Sequence, residues 1–375
     1  MKDVVKIVLT GGPCAGKTTA LSWISNHFTK MGWKVLIVNE IATELMTAGI
    51  YPGDFENPLD FQKLLVHTQI RKEKDYENYV APQLKDSEKI LIVCDRGVRD
   101  NQAYMTKEEY NRVIDCLPVS YIFNSYDGVF HLVTAADGAE EFYTLANNAA
   151  RSETIEEARV LDRKTQNAWV GCDHFRIIKN EGTFEDKLRK LLSEISILLG
   201  EPEPYEIERK YLIKKPDLDF LGSLANVKKV DILQTYLISE NNTEVRVRQR
   251  SEDGKHSFTK TTKRHTDDPV KRIEEEKRIS EDEYLGLLMD ADPELHPVRK
   301  NRYCIAHRES GQYLEVDIYP TSSEYAILEV ELPSVDTEVV IPDYLEVVKE
   351  VTDDLSFSNY AIAKNLGKLP EPEES

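Results

Sequence analysis

The octapeptide GGPCAGKT, residues 11–18, stands directly after the apolar run VVKIVLT and directly before a helical pattern. That order leaves the first half of the chain little freedom. Glycines let backbone N–H groups wrap an anionic phosphate at the positive end of the following helix, a lysine adds a mobile charge, and a neighbouring hydroxyl ligates a divalent cation. Gly11, Gly16, Lys17 and Thr18 are in register for those tasks, with Thr19 next on the helix. A nucleotide with Mg²⁺ is the ligand this spacing implies. Around the motif, WKVLIVN, ILIVCD, GVFHLVT and FRIIKN alternate with longer helical patterns up to about residue 198. The alternation predicts an α/β domain over 1–198 with a mainly parallel sheet.

Other residues of this half bear on a nucleotide. ILIVCD ends in Asp95, placed to hold Mg²⁺ through water near the β- and γ-phosphates. A mechanical AAA+ motor would carry a glutamate next; this chain carries Arg96. Glu40 closes VLIVNE at the carboxyl end of a strand, where ligands collect in open α/β sheets. It either orients or deprotonates a substrate hydroxyl, or simply starts a helix. In ARSETIEEARVLDRKTQNAW, Thr154 and Glu157 form a capping box, and Arg159 and Arg163 share a helical face, with Arg151 just upstream. These arginines could close over a triphosphate as a lid. Pairing with Glu153, Glu156 and Glu157 on a solvated helix is the alternative. His131 reads as a satisfied residue near the core rather than a metal ligand.

A formal net charge of −19 over 375 residues argues against a general nucleic-acid or membrane binder, so a polyanion must be met by a local pocket. Cys14, Cys94, Cys116, Cys172 and Cys304 are scattered without a CxxC pair, which suits reduced thiols in a cytoplasmic protein. No stretch approaches the length of a membrane span, and the first apolar run is too short for a signal sequence.

Near residue 202 the texture changes. A helical run gives way to EPEPY, read as a linker over 199–204, and beyond it the chain alternates with a period of two. Residues 205–368 are therefore expected to form an antiparallel β-rich domain with a helix at SEDEYLGLLM, and 369–375 a frayed tail. EIERKYL puts Glu206, Glu208 and Lys210 on one face, and TEVRVRQR does the same with Arg246, Arg248 and Arg250. RIEEEKR aligns Glu274 with Glu276, RKNRYCI Lys300 with Arg302, YLEVDIY Glu315 with Asp317, and AILEVELP Glu329 with Glu331. Alternation alone does not separate an open wet face from a closed lumen. The sorting of charge favours a site, because a solvated face intersperses its signs. Basic strands could grip phosphate oxygens while acidic strands ligate Mg²⁺ or Mn²⁺.

Two resemblances sharpen this. GGPCAGKTT, DRG, FHLVTAADGAEEFY and NNAARSETIEEARVLDRKTQNAW resemble the NadR/TRP-translocation-defect type of P-loop domain over nearly all of residues 1–198. That resemblance implies a nucleoside-kinase-like fold that binds ATP or GTP, with Arg151, Arg159 and Arg163 in its lid. EIERK resembles the ExExK signature of the CYTH domains, the triphosphate tunnel metalloenzymes. VRVRQR, EEEKRIS, LEVDIY, LEVEL and VTDDLSFSNYAIAKNL follow in that family's order over about 204–367. This implies an α+β domain built on an eight-stranded antiparallel tunnel that hydrolyses or cyclises triphosphates with a divalent metal.

By the same resemblance Glu206, Glu208, Glu329 and Glu331 are metal-side acids, and Asp317 is a further ligand or water-positioner. Lys210, Arg246, Arg248, Lys300 and Arg302 bind phosphates, joined by Lys260 of FTKTTK, with Lys263 as its alternative. The expected function is removal of a terminal phosphate from inorganic triphosphate or an organic, nucleoside triphosphate in the tunnel. Glu329, Glu331 and Arg248 would carry it, with Asp95 and Glu40 acting in the nucleotide-binding half. Two alternatives stand beside it: a nucleotide-dependent receptor that holds a phosphorylated ligand without turnover, and a small-molecule kinase fused to a triphosphate-processing domain.

Overall fold

The computed structural model describes residues 3–85, 87–115, 117, 125–143, 154–201, 207–239, 243–265, 272–332 and 337–370. The chain divides into two compact units, Met1–Ser196 and Ile197–Ser375. Among the described residues no helix is long and apolar enough to cross a membrane.

In the first unit, β1 (Asp3–Gly11), β2 (Lys34–Val38), β3 (Lys89–Asp95), β4 (Gly128–Leu132) and β5 (Phe175–Ile178) form a parallel sheet in the order β2-β3-β1-β4-β5. Ile7, Val8 and Leu9 of β1 and Ile90 to Val93 of β3 are fully buried, the continuous apolar run that a sheet covered on both faces demands. The register sets Leu9 beside Asp95 and Gly11 beside Leu132, so the ends of three central strands converge where α1 (Lys17–Lys30) begins.

The second unit holds nine antiparallel strands: β6 (Ile207–Lys214), β7 (Val227–Leu237), β8 (Thr243–Glu252), β9 (Lys255–His265), β10 (Arg272–Ile279), β11 (Val298–His307), β12 (Gln312–Ile318), β13 (Tyr325–Leu332) and β14 (Val347–Glu350). Their order is β10-β9-β8-β7-β11-β12-β13-β6-β14. Eight are long, and the four-residue β14 adds an edge beside β6.

The register decides which side chains share a face. Directly opposed residues lie on the same side of an antiparallel pair, and the chain of partners runs unbroken. Glu208 opposes Glu331 and Lys210 opposes Glu329; Glu329 opposes Glu315, and Asp317 opposes Arg302. Lys300 opposes Ile232, which opposes Arg250, and Arg248 and Arg246 oppose Thr259 and Thr261. One face of the sheet thus collects Glu208, Lys210, Glu329, Glu315, Asp317, Arg302, Lys300 and the arginines of β8, while Arg209, Asp231, Lys260 and Arg299 have the opposite parity. The other face carries an apolar core of Tyr211, Ile213, Ile305, Leu314, Val316, Leu328 and Val330. Toward one end the charged face itself turns apolar at Leu212, Tyr236, Val298 and Ile327. There it is covered by Phe357, Ile362 and Ala363 from the C-terminal segment.

Candidate functional site

The loop between β1 and α1 has the backbone of an anion cradle. Gly16, at φ 88°, is the left-handed residue that opens α1, and Cys14 is left-handed at φ 55°. A Cβ on Gly11 would lie 2.2 Å from the Leu132 carbonyl oxygen, so only glycine lets β1 run this close to β4. Lys17 is buried, while Thr18 and Thr19 at the helix start are exposed. Burial, together with the Arg96 guanidinium, pushes the Lys17 ammonium down from its ordinary value.

Around Lys17 the acids divide into two kinds. Glu40 accepts from Arg96 Nε at 2.5 Å and from the Thr43 hydroxyl at 2.7 Å. Against the burial that would raise it, Arg96, Lys17 and these hydrogen bonds hold its carboxyl down at about 2. A carboxylate so firmly ionised is a poor proton acceptor, which favours the orienting role for Glu40 over that of a base. Asp95 is the opposite case. Its Oδ1 is buried with no hydrogen-bond partner among the described residues, and burial, helped by Glu40 and Asp100, raises its pKa against Lys17 and Arg96. Such an orphaned oxygen suits a magnesium-bound water better than a packing role.

The helix Ile155–Trp169 meets the loop differently from expectation. Arg159 gives Nε to the Ala136 carbonyl at 2.6 Å and Nη2 to Glu140 at 2.7 Å, and also pairs with Glu156. It is thus engaged with protein groups, whereas Arg163 is exposed. The contact with the phosphate loop comes from Asp162, whose buried Oδ1 accepts from the N–H of Gly12 at 2.8 Å and of Thr134 at 3.2 Å. His131 Nε2 lies 3.2 Å from the same oxygen, inside the core as expected. Lys187 adds a second anchor, donating to the carbonyls of Ala15 at 3.1 Å and Val133 at 2.6 Å and to Asn180 at 2.7 Å; burial lowers its pKa to about 8. Sequence reading passed over Asp162 and Lys187. The helical spacing of Ala158, Asp162, Thr165 and Trp169 was the available signal, since an acid on a buried stripe needs donors.

In the second unit the charged face is an interior. Asp317 is fully buried, Lys300 is 1 % exposed, and Arg246, Arg302 and Glu329 are 6–8 % exposed. Around these residues the face is closed to solvent, and it opens toward Glu208, whose side chain is 32 % exposed. Arg302 is the hub. It donates to both oxygens of Asp317 at 2.7 Å and to Glu329 at 2.5 Å, and pairs with Glu315. Lys300 pairs with Asp317, and Lys210 reaches Glu329 at 2.8 Å and Glu208 at 3.2 Å. Burial would raise the Glu329 carboxyl, but Lys210, Lys300 and Arg302 hold it well below the usual range. Burial together with Arg302 lowers Lys300, and burial raises Glu315.

Glu208 and Glu331 stand at the edge of this network. They face each other directly across β6 and β13, a like-charge pair that costs stability. Although about a third of its side chain meets solvent, Glu208 is pushed up to about 7 by burial and by Glu329 and Glu331, against Lys210. Among the described residues no three His, Cys, Asp or Glu side chains converge as a metal site. Glu208 and Glu331 nonetheless fit a divalent cation, because two directly opposed carboxylates would be relieved by it.

A raised carboxyl means that the folded state holds a proton the unfolded chain has released, so stability should fall as pH rises from about 4.5 through about 7. Mg²⁺ should therefore raise the thermal midpoint much more at about pH 8 than at about pH 5. A midpoint that ignores Mg²⁺ at both values would remove Glu208 from any metal site.

Of the expected phosphate binders, Lys210, Arg246, Arg248, Lys300 and Arg302 share this interior. Lys260 does not: it opposes Val247, on the face where Val247 and Phe258 pack against Tyr284. Lys263 opposes Glu244 and so has the parity of Arg246 and Arg248. The correction follows from the period of two, since FTKTTK offers lysines of opposite parity. Arg151, Glu206 and Cys116 lie outside the described residues, and Cys14, Cys94, Cys172 and Cys304 are free thiols.

Comparison with known proteins adds to this geometry. A family model described as an AAA domain matches residues 6–187. A search of curated proteins found no match. A solved structure described as the inorganic triphosphatase NE1496 is 26% identical, covers 43% of this chain and 95% of its own, and has a TM-score of 0.30. Another, described as the hypothetical protein NE1496, has the same identity and TM-score and is covered over 98% of its length. PH1819 from Pyrococcus horikoshii OT3 is 18% identical over 46% of this chain and 95% of its own, with a TM-score of 0.26. Scores of this size do not establish a common fold. Motif, sheet order and the family match together make the first unit a P-loop-like nucleotide-binding domain.

Proposed function

We propose that the second unit hydrolyses inorganic triphosphate or a nucleoside triphosphate in its charged interior with Mg²⁺ or Mn²⁺, and that the first unit binds ATP or GTP with Mg²⁺ at Gly11, Gly16, Lys17, Thr18 and Thr19. The observation that carries this is the burial of sorted charge: acids on β6, β12 and β13 and arginines on β8, all on one enclosed face. Burying such groups costs several kcal/mol per ion unless they are paired, and here Glu208 and Glu331 oppose one another directly. A triphosphate with a cation answers both these opposed acids and the arginines of β8. When bound, a divalent ion at Glu208 and Glu331 would neutralise phosphoryl charge and activate water. Arg246 and Arg248 hold phosphoryl oxygens and stabilise charge on the leaving group. Lys210 and Arg302 fix Glu329, which keeps Lys210 aimed between the acids.

The deciding assay is phosphate release from tripolyphosphate, thiamine triphosphate and nucleoside triphosphates, with Mg²⁺ and Mn²⁺, by the full chain and by Lys17→Ala. Lys17→Ala should weaken ATP and GTP binding at least tenfold, about 1.4 kcal/mol, yet leave tripolyphosphate hydrolysis largely intact. Loss of that hydrolysis in Lys17→Ala would move the chemistry to the phosphate loop. Because Glu329 and Asp317 are already engaged by bases, a receptor without turnover is the second reading. It wins if tripolyphosphate binds in calorimetry and no substrate releases phosphate.

A further inference from the structure

Three buried polar atoms lie in a row on the enclosed face with no hydrogen-bond partner among the described residues. They are Oε1 of Gln234 on β7, Nε of Arg248 on β8 and Oγ1 of Thr259 on β9. The register makes the row, with Gln234 opposite Arg248 and Arg248 opposite Thr259. Gln234 is fully buried and Thr259 is 7 % exposed. Gln234 is anchored at its other end, where Nε2 donates to the Tyr236 hydroxyl at 2.8 Å. Among the described residues Arg248 pairs with Glu276 at 3.8 Å. Folded chains rarely leave several neighbouring polar atoms unsatisfied, and where they do a ligand is a leading reason. The position of the row says how such a ligand would lie. Tyr236, two residues beyond Gln234, and Val298, opposite Gln234, belong to the apolar cluster filled by Phe357 and Ile362. A chain of phosphates lying along the face reaches its closed end beside this row, where Arg246 opposes Tyr236.

We propose that Gln234, Arg248 and Thr259 form the subsite for the terminal phosphoryl group, so that the interior accepts only polyphosphates with an unesterified end. This rests on the triphosphate reading above and names the substrate class it admits. Oxygens of a terminal phosphoryl group accept from Arg248 Nε–H and from the Thr259 hydroxyl. The proton such a group carries part of the time near neutral pH is offered to Gln234 Oε1. An esterified phosphoryl group has no such proton, and its substituent would meet the filled end.

The test uses the full chain carrying Lys17→Ala, so that the phosphate loop does not contribute, with Gln234→Leu or Thr259→Val added. Each change removes an unpartnered polar atom while roughly keeping its shape, so each variant should unfold at a higher temperature than its parent and yet bind tripolyphosphate roughly tenfold more weakly in calorimetry. Diadenosine triphosphate, esterified at both ends, should fail to compete with tripolyphosphate. A lowered unfolding temperature with unchanged affinity in both variants would make the row structural and overturn the proposal, as would equal competition by the end-blocked probe. Failure of the parent itself to bind tripolyphosphate overturns the triphosphate reading and this subsite with it.

Discussion

Glu329→Gln should lower metal-dependent tripolyphosphate hydrolysis by on the order of a hundredfold, the scale seen when one electrostatic stabiliser is removed. Glu329 is 6 % exposed and takes Lys210 on one oxygen and Arg302 on the other. A glutamine keeps the shape and one carbonyl oxygen but discards the charge, so Lys210 is no longer held toward the acids and Arg302 loses one of its carboxylates. Rate should suffer more than fold, because Asp317 and Glu315 still hold Arg302. Phosphate release at saturating Mg²⁺, beside circular dichroism for folding, measures the effect. Hydrolysis within twofold of the parent in a folded Glu329→Gln protein would remove this acid from the chemistry.

Arg302→Met should show the larger effect on stability. The guanidinium binds Asp317 through two hydrogen bonds and reaches Glu329 and Glu315 as well, all in the interior. Methionine fills much of the volume but leaves these carboxylates facing one another with Lys300 and Lys210 as their remaining bases. Breaking a buried ion pair from one side costs about 3–5 kcal/mol. The sign with pH is fixed. Without Arg302 the carboxyls would titrate higher in the folded state, so the variant should regain stability as pH falls and be weakest at alkaline pH. Urea unfolding at about pH 5 and about pH 8 measures it. A loss below about 1 kcal/mol at the higher pH would mean that Arg302 is not the hub its geometry makes it.

What could be read from the sequence follows the range of the interactions involved. GGPCAGKT and the runs around β1, β2, β3, β4 and β5 are local signals, and each strand appears with its ends shifted by no more than two residues. The parity of Glu208 and Lys210, of Arg246 and Arg248, and of Glu329 and Glu331 is also local, because a strand alternates whatever lies beside it. Whether that face met water was not local. It depends on enclosure, and the 0–8 % exposure of Asp317, Lys300 and their neighbours settles it. β7 and β9 were not anticipated as strands. VKKVDILQTYL places lysines side by side and hides its one polar interior residue, Gln234, among aliphatics. Lys260 and Lys263 could be told apart only by the partner strand. Arg159 was read against its own helix, and its strongest acid, Glu140, lies outside it. Asp162 takes its hydrogen bond from Gly12, 150 residues away, a pairing that no window of sequence contains.

The alternation that builds the interior also limits how this chain can change over time. A substitution at any one position of β6, β8, β11, β12 or β13 alters one group. A single inserted or deleted residue within a strand turns all its later side chains over, sending arginines or glutamates into the apolar core and leucines into the charged space. The second unit should therefore vary by replacement inside its strands and by length only in the connections between them. Its charge pattern is inherited as whole strands or lost as whole strands.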